Sequence, residues 1–280
     1  MTTTVRPTGP EEALGRGGRS RAFAIRDNSR AVGGLRLTRV PGSGPGTGRI
    51  EELEIAPADR RRGRATVAAL AAEEILRGWG CVRVEADVPA EATAARGLFT
   101  ALGYTGRSRW LTKRPRPPVP ALPEGSAVRA MGERDYAGWR AAERARLAAE
   151  RRERGAAAAE ADAHAEAVLT ARLPAGHRTE GVALRVLSHH GTDVGTLWLA
   201  LAPGRLPYGT DGYVVHAGVA AEYRGRGHGR ALLAEAERLT HAAGGTLLGL
   251  SVDADNLPAG RLCEGLGYRP VAERLGKTLH

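Results

Sequence analysis

Apolar and polar residues alternate at two places in the chain, and each place is followed by a run with helical spacing. Val182, Leu184 and Val186 alternate, a His190-Gly191 turn follows, and Leu197 and Leu199 return, which predicts a hairpin. The stretch "AFAIRDNSRAVGGLRLTRV" predicts another, turning at Asp27-Asn28. A strand is then expected over 213–219 ("YVVHAGV") and over 50–55 ("IEELEI"). Each is followed by an arginine-glycine loop and a helix. The helices are expected to bury Leu232, Ala236 and Leu239 in one place and Val67, Ala71 and Ile75 in the other. Further strands alternate Leu248, Leu250 and Val252, or Val82, Val84, Ala86 and Val88. A short helix carrying Leu262 and Leu266, or Leu98 and Leu102, precedes a last strand in each half.

The same order read twice points to an internal duplication. Arg60 and Arg224 stand 164 residues apart in matching loops, and Tyr104 and Tyr268 stand 164 apart in matching "LGY" ends. Two separated motifs at one offset argue for tandem copies. Between them "KRPRPPVPALPEG" holds five prolines, which exclude a helix or a central strand. The expected domains are therefore residues 1–114, a linker over 115–125, and residues 126–280. The copies differ at their starts. Residues 131–172 are alanine-rich and charged with one break at Gly155, which predicts two helices. The N-terminal half, with "GRGG" at 15–18, lacks room for them.

Composition narrows the function. The formal net charge is +10, and only Lys113 and Lys277 are lysines. Such charge suits an anionic partner, but no base-reading motif or stacking aromatic run is visible, so nucleic acid is disfavoured. Cys81 and Cys263 give no disulfide framework, and no metal-ligand spacing occurs. The start "MTTTVRPTGPEE" has no apolar signal core and no stretch is long enough to span a bilayer, which reads as a soluble, cytoplasmic chain with no membrane partner.

The stretch "EYRGRGHGRALL" carries the chemistry. A glycine-rich turn between a strand and a helix presents unpaired backbone N–H groups and the positive end of the helix dipole to an anion. Arg224, Arg226 and Arg230 add full charges, so the loop suits a diphosphate. A Walker loop needs Gly-Lys-Ser/Thr, which is absent, and Gly227 and Gly229 lack the third glycine of a dinucleotide fingerprint. What remains is R-x-x-G-x-G at Arg224, Gly227 and Gly229, followed by Asn256, Ala259, Leu262 and Gly267-Tyr268.

With these residues the chain resembles the GNAT superfamily of acyl-CoA-dependent N-acyltransferases. The N-terminal half repeats the loop as Arg60, Gly63 and Ala65. The resemblance implies an α+β fold of two tandem domains, each a mixed, mostly antiparallel central sheet flanked by helices. It implies acetyl-CoA as cosubstrate, no metal, and direct attack of a primary amine of a small molecule or peptide on the thioester. Coenzyme contacts are expected at Val219, Ala221, Arg224, Gly225, Arg226, Gly227, His228, Gly229, Arg230 and Asn256. More weakly they are expected at Ile55, Arg60, Gly63 and Ala65. The backbone N–H of Val219 is the expected oxyanion donor.

The catalytic group is less determined. Candidates for the base are Tyr213 and His216 on the strand before the loop, with Glu222 near it. His216 has suitable chemistry if it does not turn into the core. Where many relatives carry a tyrosine as acid, this chain has Cys263 and, in the other copy, Phe99. Cys263 is either a weak proton donor or a small buried thiol. Glu51, Glu52 and Glu54 are acidic candidates or solvated charges, and His189 and His190 read as an exposed turn. The C-terminal half keeps both glycines, Asn256 and the extra helices, so it is expected to be the active copy. The N-terminal copy has Ala92 where Asn256 maps. A non-catalytic acyl-CoA-binding or partner-binding module is the alternative, as a monomer or a homodimer.

Overall fold

Pairs of left-handed residues set the two hairpins. Asn28 (φ 46°) and Ser29 (φ 76°) join β3 (Arg19–Asp27) to β4 (Arg30–Arg39). His190 (φ 47°) and Gly191 (φ 79°) join β9 (Val182–His189) to β10 (Thr192–Leu201). Two successive positive φ values give a turn whose twist matches the strands. The first turn therefore lies one residue later than the alternation indicated.

The computed structural model describes residues 3–42, 46–116 and 118–279; Pro117 of the proline-rich segment lies outside them. The chain forms two compact units, neither continuous in sequence. Unit 1 comprises Met1–Arg107, Ala148–His164 and Ala272–His280; unit 2 comprises Ser108–Leu147 and Ala165–Val271. The remaining strands are β1 (Thr3–Pro7), β2 (Glu12–Ala13), β5 (Gly46–Ile55), β6 (Cys81–Pro89), β7 (Thr105–Lys113), β8 (Ser126–Ala130), β11 (Gly212–Val219), β12 (Leu248–Asp253) and β13 (Arg269–Thr278). In unit 1 the sheet order is β1-β3-β4-β5-β6-β13, with β2 on β3. In unit 2 it is β7-β12-β11-β10-β9-β8. Both are mostly antiparallel, with β5–β6 and β11–β12 parallel. The short edge strands β1 and β8 were not legible from alternation.

The last strand of each half sits in the other unit, a departure from a cut at the proline-rich segment. β13 runs antiparallel to β6, from Ala272 opposite Pro89 to Thr278 opposite Arg83. β7 runs antiparallel to β12, from Lys113 opposite Leu248 to Ser108 opposite Asp253. Each exchanged strand carries, at its last or next-to-last position, a lysine that meets a buried glutamate. Lys113 Nζ is 2.7 Å from both carboxylate oxygens of Glu237, and Lys277 Nζ is 2.9 and 3.1 Å from those of Glu73. The same ammonium groups lie over the rings of Tyr268 and Tyr104.

The principal helices are α1 (Arg64–Gly78), α2 (Thr93–Ala101), α3 (Glu133–Glu153), α4 (Ala158–Arg172), α5 (His228–Ala242) and α6 (Leu257–Gly265). Helix α5 buries Leu232 and Ala236 as expected. Helix α1 instead buries Ala68, Ala69, Ala72 and Leu76, while Val67 is exposed. Val67 and Leu70 lie on the solvent side while the buried side is mainly alanine, so the larger apolar residues point to the wrong phase; the homologous positions 164 residues on give the observed face. Gly155 (φ 90°) breaks α3 from α4. In unit 2 one core lies under α5, with Leu111, Val214, Leu232, Leu250 and Tyr268. A second, with Met131, Leus 169 and 173, and Trp198, holds the opposite sheet face together with Trp139 and Val215. No helix among the described residues is long and apolar enough to cross a membrane.

Candidate active site

In unit 2 the parallel strands β11 and β12 start side by side and then separate. They are in register only from Gly212–Val214 against Leu248–Leu250. Beyond that point β11 stays paired with β10 as far as Val219, and β12 with β7 as far as Asp253. The result is a wedge, closed at Val214 and open towards the glycine loop. Along its β11 side, alternate backbone groups of Val215–Val219 have no neighbouring strand. An extended amide chain laid there finds the hydrogen bonds an added strand would.

The loop lies at the open end. Arg224 Nε donates to the carbonyl of Val219 at 3.1 Å, which ties the loop to the strand. Ala221 opens a short 3₁₀ turn after it. Gly225 (φ 76°) and Gly227 (φ 86°) are left-handed, and Gly227 is the N-cap of α5. At Gly229 a Cβ would stand 3.1 Å from Leu262 Cδ2, so glycine lets the helix start approach α6 closely. The first N–H groups of α5 therefore face outward beside Arg224, Arg226 and Arg230. At His228 the expected contact is through the backbone N–H, since its side chain is buried and its ring lies 4.9 Å from that of His189. Burial, with His189 and Arg226 nearby, holds that imidazole's pKa down.

Asn256, an expected coenzyme contact, is the N-cap of α6, its Oδ1 accepting from Ala259 N at 3.2 Å. Losing such a cap costs about 1 kcal/mol. Asn256→Ala is expected to lower unfolding stability by that amount, read as a lower urea midpoint at unchanged m.

His216 joins a buried carboxylate. A β-bulge falls on β11, where Val215 is the extra residue between Val214 and His216, opposite Leu199 and Trp198 of β10. It turns His216 to the face covered by α3. There His216 Nδ1 is 2.7 Å from Glu143 Oε2, and Arg146 forks onto the same carboxylate. The Glu143 side chain is 3% exposed and that of His216 28%. Nδ1–H donating to Glu143 leaves the Nε2 lone pair as an acceptor. Gly218 gives the ring room, since a Cβ there would be 3.0 Å from Nε2. Burial alone would raise the Glu143 pKa, but hydrogen bonds from His216 and Arg146 hold it at about 2 instead of 4.5.

A lowered carboxylate pKa makes stability depend on pH. The unfolded chain takes up a proton near pH 4.5 that the folded chain refuses until about pH 2. Glu143's contribution is thus complete above about pH 4.5 and lost as the pH falls towards 2. Urea midpoints between pH 5.5 and 3 are expected to fall less steeply for Glu143→Gln than for the parent.

Two other candidates stand apart from this pair. Tyr213 is on the same face, one residue before the end of β11–β12 pairing, with its ring 5.8 Å from Trp110. Cys263 lies in the core under α5, on the opposite face, and burial raises its thiol pKa to about 11. The structure does not bring it to the His216 group. Glu222 lies in the 3₁₀ turn beyond the wedge. Glu143, on α3, had no signal in sequence beyond being one of several acids on a charged helix.

Unit 1 repeats the wedge but not the pair. β5 and β6 are in register only from Gly46–Ile50 against Cys81–Ala86. Arg60 Nε donates to Ile55 O at 2.8 Å, and Gly63 (φ 74°) is the N-cap of α1, with Ala65 packed on the core. The residue 164 before His216 is Glu52, whose exposed side chain lies 3.5 Å from Arg36. Glu51 accepts from Thr38, and Glu54 lies 3.9 Å from Arg60. Where unit 2 has His228, unit 1 has buried Arg64, ion-paired to Asp27 and Asp59. Arg30 also holds Asp59, its hydrogen bond keeping that carboxyl below its usual pKa. Phe99 lies in the core against Tyr104.

Splayed parallel strands before a left-handed glycine and a helix, occurring twice, agree with comparisons to known proteins. A tandem GNAT protein from the clavulanic acid biosynthesis pathway is similar over 100% of this chain and 99% of its own, at 18% identity and a TM-score of 0.56. A GCN5-related N-acetyltransferase from Sphaerobacter thermophilus is similar over 92% of this chain and 81% of its own, at 21% identity and a TM-score of 0.60. An acetyltransferase of the GNAT family from Colwellia psychrerythraea covers 93% and 86%, at 13% identity and a TM-score of 0.53. At these identities the likeness shows a shared fold. No curated protein matches the chain. The sequence profile of the Acetyltransferase (GNAT) family matches residues 4–104 and 144–268, one stretch for each copy and most of the chain together. On that match, and on the doubled wedge and loop, the chain belongs to the GNAT family of acetyltransferases.

Proposed function

We propose that the chain transfers an acetyl group from acetyl-CoA to a primary amine, and that the wedge of unit 2 does the chemistry. The observation that carries this reading is the His216–Glu143 pair at the closed end of that wedge. In unit 1 the corresponding residue, Glu52, is exposed on a charged face. We read the N-terminal copy as a structural partner and the C-terminal copy as the enzyme.

The coenzyme's diphosphate would take the N–H groups of residues 225–230, and its amide arm the free edge of Val215–Val219. That places the thioester at the apex, near His216. An amine with a pKa near 10.4 costs about 4–5 kcal/mol to deprotonate at pH 7. His216 Nε2 accepts that proton, and Glu143 steadies the imidazolium that forms. The amine nitrogen then bonds to the thioester carbon, the C–S bond breaks, and the second N–H proton leaves with the thiolate as CoA thiol. Atoms balance as ammonium plus acetyl-CoA giving amide, CoA thiol and one proton.

Calorimetric titration with acetyl-CoA, followed by thiol release across an amine panel, tests the reading. Gly227→Glu puts a side chain at φ 86° and a carboxylate at the anion site. It is expected to weaken acetyl-CoA binding at least ten-fold. Unchanged affinity would sink the coenzyme assignment; binding without thiol release would leave an acyl-CoA-binding module.

A further inference from the structure

Aromatic residues are scarce in this chain, with 4 Trp, 6 Tyr and 2 Phe, yet three of them meet at the closed end of the unit 2 wedge. The ring of Trp110 lies 5.2 Å from that of Tyr208 and 5.8 Å from that of Tyr213. Tyr213 immediately precedes Val214, the last β11 residue in register with β12, and Trp110 is opposite Ser251, the first β12 residue past it. Their strand neighbours Leu111 and Val214 belong to the core under α5. Trp110 and Tyr213 therefore project from the other face, which His216 shares. Between their strands Gly249 has no side chain, and a Cβ there would stand 2.8 Å from Thr210 Cγ2, so glycine makes room for the buried Thr210 that follows Tyr208 into β11.

Tyr208 completes the group from the connection between β10 and β11. Its backbone is left-handed (φ 56°, ψ 29°) and its side chain exposed, at 45%. A tyrosine rarely adopts that conformation, and such strained positions gather at ligand sites.

We propose that Trp110, Tyr208 and Tyr213 form the acceptor wall of unit 2, and that the acceptor is an arylalkylamine. Its ring stacks on Tyr208 and Trp110 while its amine extends over Tyr213 to His216 Nε2. Ring faces carry a negative quadrupole, so they hold the incoming ammonium without a carboxylate that would compete for its proton. An aliphatic polyamine gains the second contact but not the first. The inference rests on the acetyl-transfer reading above, since that reading places the thioester at this apex.

The test uses the full chain with tyramine and, for comparison, cadaverine. Tyramine binding is first measured calorimetrically in the presence of CoA, which needs no turnover. Thiol release from acetyl-CoA is then followed with both amines. Tyramine is expected to bind and to exceed cadaverine in kcat/KM at least ten-fold, about 1.4 kcal/mol. Tyr208→Ala, at an exposed position, is expected to raise KM for tyramine about ten-fold and to move kcat less, and Tyr208→Phe to restore most of it. No tyramine binding, a preference for cadaverine, or an unmoved KM in Tyr208→Ala overturns the wall. Tyramine binding that disappears in Tyr208→Ala, with no thiol release from any amine, keeps the wall and overturns the transfer reading alone.

Discussion

His216→Asn is expected to lower kcat/KM for amine acetylation by about 10²–10⁴-fold, the usual worth of a positioned general base. Asparagine keeps a polar side chain beside Glu143 but has no lone pair that takes a proton at neutral pH. Acetyl-CoA affinity should stay close to that of the parent, because in the proposed site the coenzyme is held by backbone groups of the loop and the β11 edge. Glu143→Gln should be milder, about ten-fold. The amide oxygen still accepts from Nδ1–H and preserves the tautomer, but the charge that stabilises the imidazolium is gone. Steady-state rates from pH 5.5 to 9 separate the two variants. Rates for His216→Asn within about five-fold of the parent at all pH values would place the base elsewhere.

The features legible in sequence are those made by short contiguous runs. Both glycine loops were found by their own residues, and Gly63 and Gly227 occupy the same left-handed N-cap position in the two units. The break at Gly155 and the two hairpins are also local. The partner of His216 was not legible, because Glu143 lies 73 residues away on a helix rich in acids. Only the bulge on β11, which periodicity does not show, turns His216 to meet it. The motifs containing His228 and Asn256 do not show that the first side chain packs inward and the second caps a helix, because both depend on neighbours outside the motif. Trp110 belongs to the first half by sequence and reaches the unit 2 wedge only by strand exchange.

That exchange was hidden for a specific reason, and it leads to the largest expected effect on stability. The spacing of 164 residues relates Lys113 to Lys277, Glu73 to Glu237 and Tyr104 to Tyr268. In a duplicated chain each lysine has an equally good glutamate in its own half and in the other, so sequence alone cannot distinguish closed from exchanged pairing. The structure takes the exchanged pairing in both units. Glu237 and Glu73 are 3% and 4% exposed. Removing one partner of such a pair leaves an uncompensated buried charge, which costs about 3–5 kcal/mol. Lys113→Met is therefore expected to destabilise the chain by about that much, read from its urea midpoint, and Lys277→Met to behave likewise. Burial and the neighbouring Glu237 already push the Tyr268 phenol pKa well up, so that ring supplies no replacement cation or proton. The double change Lys113→Met with Glu237→Leu should recover most of the loss, since an apolar pair of similar volume has no charge to desolvate. If the single lysine variant costs less than about 1 kcal/mol, the ammonium does not hold β7 against α5. Its fixed place over Tyr268 would then follow from strand register alone.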